Sequence, residues 1–216
     1  MASPGAHGEV GTGRLEAFSD GVFAIAITLL ILDVNVDPAG RGSLAHRLGH
    51  QWPSYASLLI SFAVIGTIWI NHHRMFEEIR AADHGVVVAN LFLLLVVTVI
   101  PFPTRLVGST LASGTAADQR TAVLVYGATF VAVSLAFPLL WLAASRGGGR
   151  LLAEGMTPAR TRARRRRNMI GFPTYSAGTL IALASPKLSL AAFGVVMALY
   201  LLPSHWIDRR LEGRDA

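Results

Sequence analysis

"RLEAFSDGVFAIAITLLILDV", Arg14 to Val34, is an apolar run long enough to bury itself in lipid, yet it opens with an arginine, a glutamate and an aspartate. After Asp20 nothing ionic occurs until Asp33. From Gly21 to Val36 there is no further glycine or proline, so the stretch reads as one unbroken helix whose carbonyls are used internally. At about 100° per residue, Phe18, Ile25, Leu32 and Val36 lie within about 20° of one line, with Leu29 and Thr28 flanking it. Asp20 falls about 140° from Ile25. One face is thus a ladder of bulky apolar groups with a single hydroxyl, and the aspartate points elsewhere, into packed protein. Local chemistry leaves alternatives open. Ser19 and Asp20 are both good N-cap residues, and an Ile/Leu ladder in a span is as much a lipid-facing or core surface as anything else.

The rest of the chain reads as membrane protein. Of 216 residues 52% are hydrophobic and 15% charged, with a mean hydropathy of +0.49, against about a quarter charged in soluble domains. With no cysteine there is no disulfide framework, thiolate nucleophile or cysteine metal site. Residues 1–13, "MASPGAHGEVGTG", are small and polar, without the basic start and apolar centre of a signal peptide, and read as a disordered tail. The net charge of +6 sits between apolar runs and so reports topology, not nucleic-acid binding.

Crossing the hydrocarbon takes about 20 mostly apolar residues. Six stretches qualify: 17–36, 53–74, 84–105, 121–145, 168–186 and 188–207. The expected fold is an all-α integral membrane protein, with one six-helix unit over 14–208 and a C-terminal tail, 209–216. Pro101 and Pro103 should end or bend the third span, and Pro186-Lys187 should mark a tight hairpin between the fifth and sixth. With the N-terminus inside, fourteen of the nineteen Lys and Arg fall on the cytoplasmic side, so both termini are expected to be cytoplasmic. Eight of the fourteen lie in the 4–5 linker, which carries "RTRARRRRN". That run is read as a topology anchor, or else as a site for anionic lipid or an acidic partner.

The second span ends in "GTIWINHHRMFEEIR", and the orientation puts it on the same side as Arg14–Asp20. Asp20 or Arg14 could then partner Trp69, Asn71 or His73. His72 and His73 are adjacent and point about 100° apart, so they cannot share a metal from one helical face. His73 with Glu77 has i, i+4 spacing but no third ligand, and no metal site is expected. Asn90, Thr98 and Tyr175 are polar residues within spans, suited to bonding between helices. A phosphate loop, HExxH, GxSxG and paired intramembrane carboxylates are all missing, so no catalytic residue and no enzymatic activity are expected.

"RLEAFSDGVFAIAIT" matches the RxxxFSDxxxA signature of the transmembrane protein 175 family, with Arg14, Phe18, Ser19, Asp20 and Ala24 in register. "WINHHRMF" resembles that family's tryptophan–histidine segment. The resemblance implies a potassium-permeable leak channel in the cell membrane, without a carbonyl filter or cofactor, with potassium as the permeant ion. No "TVGYG" loop occurs here, so side chains would do the selecting. The resemblance further implies a homotetramer with the first span of each subunit lining the pore. Ile25 would be the constriction, Leu32 a second apolar ring with Leu29 beside it, and Thr28 would bear on selectivity. Arg14, Phe18, Ser19, Asp20, Trp69 and His72 or His73 would form a packed, hydrogen-bonded cluster that clasps the pore helix. The orientation count, not the resemblance, sets Asp33 and Asp37 at the outer end of the first span, where they would ring the mouth or where Asp33 would merely end the helix in interfacial water. Two other readings stand beside this one. A secondary or proton-coupled transporter is opposed by the lack of inverted repeats, broken helices and mid-membrane carboxylates. A scaffold acting through the arginine-rich linker is the other.

Overall fold

The computed structural model describes residues 10–34 and 42–201, and it is mostly helix. α1 (Gly13–Leu29) tightens into a 3-10 turn over Leu30–Asp33, so the helix ends sooner than the expected Val36, which lies outside the described residues. α2 (Leu44–His50) is short and largely exposed, capped by Ser43, whose hydroxyl accepts from the His46 N–H. α3 (Trp52–Phe76) carries a proline in its first turn, where the missing N–H costs nothing. α4 (His84–Val99) is capped by Asp83, which accepts from the Val86 N–H at 3.0 Å. α5 (Pro101–Ser113) follows after a break at Ile100. The third span therefore bends at its proline as expected but continues to Leu111, because proline is tolerated at a helix start.

α6 (Ala116–Ser145) opens in a capping box, in which Thr115 and Asp118 each accept the other's backbone N–H. It is the centre of the bundle, packed on α4 and α5 and on the three helices that follow, α7 (Pro158–Met169), α8 (Gly171–Ile181) and α9 (Pro186–Leu201). Trp141, Leu140 and Ala144 on it are fully buried. Close approach of α6 to α8 needs glycine, since a Cβ at Gly127 would collide with the Thr179 side chain. A Cβ at Gly178 would likewise run into the Phe193 ring of α9, 2.7 Å away.

Among the described residues four helical stretches are long and apolar enough to span a bilayer: Gly13–Leu32, Ser54–Phe76, His84–Leu111 and Ala116–Ser145. The chain is a multi-pass membrane protein. α8, at about 17 Å, is shorter than the hydrocarbon thickness of about 30 Å. The turn between α8 and α9 falls at 182–185, with Pro186 opening α9. Residues 202–207 of the expected sixth span and the tail 209–216 lie outside the described residues, as does 1–9 of the N-terminal tail.

The arginine run is not a loop. It forms α7, capped by the Thr157 hydroxyl with Pro158 at its first position. Around it one end of the bundle is tied together. β1 (Val10–Gly11) pairs antiparallel with β2 (Ala81–Ala82), Arg164 meets Glu78 at 3.2 Å, and the Ala153 N–H donates to the Glu78 carbonyl at 2.9 Å. The start of α1 and the end of α3 thus lie at one end, as the orientation count required.

Candidate functional site

Ser19 and Asp20 lie in the second turn of α1, whose N-cap is Thr12. They are not caps. Ser19 is fully buried and donates its hydroxyl to the Leu15 carbonyl at 2.7 Å. It accepts the Asn90 Nδ2–H at 2.9 Å, and Asn90 Oδ1 accepts from His72 Nε2 at 2.8 Å. His72 and Asn90 are themselves buried. Three helices are therefore joined by one directional chain of hydrogen bonds ending on a backbone carbonyl, and every polar atom it uses is matched. Phe23 meets His72 edge-on at 5.3 Å and Phe76 packs on it at 4.5 Å, which closes the network in apolar surroundings.

A second tie runs beside the first. Asp20 Oδ1 accepts the Trp69 indole N–H at 2.7 Å, and the His73 ring stacks on Trp69 at 5.8 Å. His73 also meets Glu77 at 3.7 Å. The two adjacent histidines thus divide, His72 inward to Asn90 and His73 outward to Trp69. Among the described residues no group of three metal-ligating side chains occurs.

Three placements depart from expectation. Asp20 is exposed on the single chain, not sunk in packed protein. Phe18 is 54% exposed and stays out of the hydrogen-bonded cluster, because it shares the outward line of α1 with Ile25. Arg14 is exposed on the first turn.

That outward line is the other half of the site. Ile25, Leu29 and Leu32 are 60%, 49% and 69% exposed, whereas Phe23, Ala26 and Leu30 are buried against the bundle. Thr28 is exposed and donates its hydroxyl to the Ile25 carbonyl at 3.0 Å, leaving the oxygen lone pairs outward. Asp33 closes the 3-10 turn; its side chain lies outside the described residues, as does all of Asp37.

Asn90 is the residue whose role the sequence hid. It is legible as a polar group in an apolar span, but its partners sit 18 and 71 positions away. Thr98, grouped with it, instead donates to the Leu95 carbonyl of its own helix. Tyr175 stacks on Phe130 at 5.4 Å.

The segment holding both ties lies within a match to a known family. The family model described as endosomal/lysosomal potassium channel TMEM175 matches residues 14–101. A Streptomyces collinus protein named as a potassium channel is 45% identical over 88% of this chain and 90% of its own length. A Chamaesiphon minutus protein named likewise is 44% identical over 66% of this chain and 70% of its own. The crystal structure of a lysosomal potassium-selective channel TMEM175 homolog from Chamaesiphon minutus is similar with a TM-score of 0.74 at 35% identity, over 88% of this chain and 95% of that one. In sequence and in fold alike, the chain belongs to the TMEM175 family.

Proposed function

We propose that this protein is a potassium-permeable leak channel, a homotetramer in which α1 of each subunit lines a central pore. One observation carries the reading: α1 buries one face on α3 and α4 through two hydrogen-bonded ties, yet leaves Ile25, Leu29 and Leu32 exposed along the opposite face. A membrane helix fixed so firmly on one side has a defined direction on the other. Four copies would turn the exposed line into stacked apolar rings, with Ile25 as the constriction and Leu32 as the outer ring. Rings of branched side chains can dewet and hinder ion passage. Thr28, between them, supplies the hydroxyl oxygens that would bear on ion choice. The positive-inside count places the tied end, with both termini, in the cytoplasm. The related potassium channels support the ion. Ser19, Asp20, Trp69, Asn90 and the two histidines then have a structural role, holding the pore helix in register.

The test is ion flux into liposomes holding the purified protein. The wild type should pass potassium quickly and downhill without saturating. Ile25→Asn should raise conductance and lower discrimination among cations. Saturable flux would indicate a carrier, and absence of flux a scaffold.

A further inference from the structure

Between α3, α5, α6, α8 and α9 lies a cleft of about 920 Å³. No α1 residue lines it, so what it holds is independent of whether α1 forms a pore. Its wall along α3 runs from Trp52 to Met75, about 35 Å of helix, comparable to the full hydrocarbon thickness of a bilayer. The floor is apolar and buried, as at Val107, Phe130 and Phe193, while Trp52, Ile60 and Leu111 on its rim are exposed. The cleft therefore opens toward the lipid-facing surface of the bundle.

One end of the cleft is basic. Arg74 from the end of α3 and Arg164, Arg167 and Asn168 from α7 line it. Arg164 is held in place, 3.2 Å from Glu78 and 5.9 Å over the Trp141 ring, with its side chain only 9% exposed. Even so, its Nε and Asn168 Nδ2 are buried without an acceptor, and Glu78 Oε2, on the carboxylate paired with Arg164, is buried without a donor. Buried donors are nearly always matched, so two of them beside three guanidiniums ask for an acceptor-rich anion. Glu78 offsets only one of the three charges.

We infer that this cleft binds an anionic phospholipid, its phosphate between Arg74, Arg164, Arg167 and Asn168, and an acyl chain along the apolar floor. Neither half of the cleft alone would select this ligand. A free phosphate leaves the apolar wall without a role, and a neutral hydrocarbon leaves the arginines without one. On the positive-inside orientation the basic end faces the cytoplasmic leaflet, where anionic lipid raises the local affinity of basic side chains.

The experiment uses the full-length protein in detergent, delipidated, with native mass spectrometry and thermal melting as readouts. The probes are phosphatidylglycerol, phosphatidylcholine and inorganic phosphate. Phosphatidylglycerol should bind and raise the melting temperature, more strongly than phosphatidylcholine. Arg167→Gln and Arg74→Gln, both changes at exposed side chains, should each weaken it by about fivefold. Gly194→Phe should abolish binding of phosphatidylglycerol without unfolding the chain, since Gly194 lines the cleft and an added Cβ there meets nothing within 4 Å. Four outcomes would overturn the proposal: equal binding of phosphatidylcholine, equal protection by inorganic phosphate, unchanged lipid binding in Gly194→Phe, or a changed oligomeric state in that variant, which would mean that a second copy fills the cleft.

Discussion

Trp69 donates its indole N–H to Asp20 Oδ1 at 2.7 Å, so a single hydrogen bond fastens α3 to α1 across 49 positions of chain. The bond is charge-assisted, and because it holds the side of α1 away from the apolar line it sets the rotation of α1. Asp20→Ala and Trp69→Phe should each lower stability by about 1 kcal/mol, or roughly 2–4 °C in melting temperature for a chain of this size. The double variant should cost less than the sum, with a coupling of about 0.5 kcal/mol or more. Assembly yield should fall before ion preference changes. A fully stable Asp20→Ala protein with altered selectivity would place the aspartate in permeation instead.

Asn90 should be the more sensitive position. It has no solvent exposure, and its removal strands the His72 ring and takes the donor from the Ser19 oxygen, whose own O–H keeps the Leu15 carbonyl. At about 1–3 kcal/mol for each unmatched buried group, Asn90→Ala should cost about 2–4 kcal/mol in thermal or denaturant unfolding. Thr98→Val, where the hydroxyl serves only its own helix, should change stability by less than about 0.5 kcal/mol. Similar costs for the two would contradict the three-helix network.

Gly127 tests the packing that carries the second half of the bundle. A methyl group there would run into Thr179, and overpacking costs about 1–3 kcal/mol. Gly127→Ala should therefore lower the melting temperature, while Gly194→Ala, with open space at its Cβ, should not. The pair Gly127→Ala with Thr179→Ala should recover much of the loss.

Asp33 ends the 3-10 turn that follows α1, at the opposite end of the helix from the two ties. In a tetramer four such carboxylates would flank the outer mouth and concentrate cations, an effect screened within about 8 Å at physiological ionic strength. Inward potassium current through Asp33→Asn channels should fall at low salt and recover at high salt. Identical currents across the salt range would leave access to the apolar rings alone.

The first helix is legible in the sequence because it combines an uninterrupted apolar run with a polar start. That Ile25, Leu29 and Leu32 share one line follows from periodicity, but that the line faces away from the bundle shows only in the fold. Two local signals mislead. Ser19 and Asp20 look like caps, but this helix starts earlier, at Gly13 after Thr12, and carries both residues inside its second turn. Charge alone makes the linker around "RTRARRRRN" look like a loop, although Thr157-Pro158 is a good N-cap and first position, and arginine favours helix. Asn90 is visible as a polar residue needing a partner. Its identity as the middle of a Ser19–His72 link depends on α1 packing against both α3 and α4, a tertiary fact with no local trace. The hairpin of α8 and α9 is legible too, but its turn lies a few residues before Pro186, since that proline starts α9.

The central claim is that Ile25 faces an ion path, and the chain offers a direct test because it has no native cysteine. Ile25→Cys and the buried-face control Ala26→Cys would be placed in planar bilayers in nitrate salts and exposed to silver ion, a thiol-reactive cation close in size to potassium. The account predicts rapid, irreversible loss of potassium current in Ile25→Cys, with wild type and Ala26→Cys unaffected. Persistent current in Ile25→Cys, with labelling of the thiol verified by mass, would contradict a pore lined by α1.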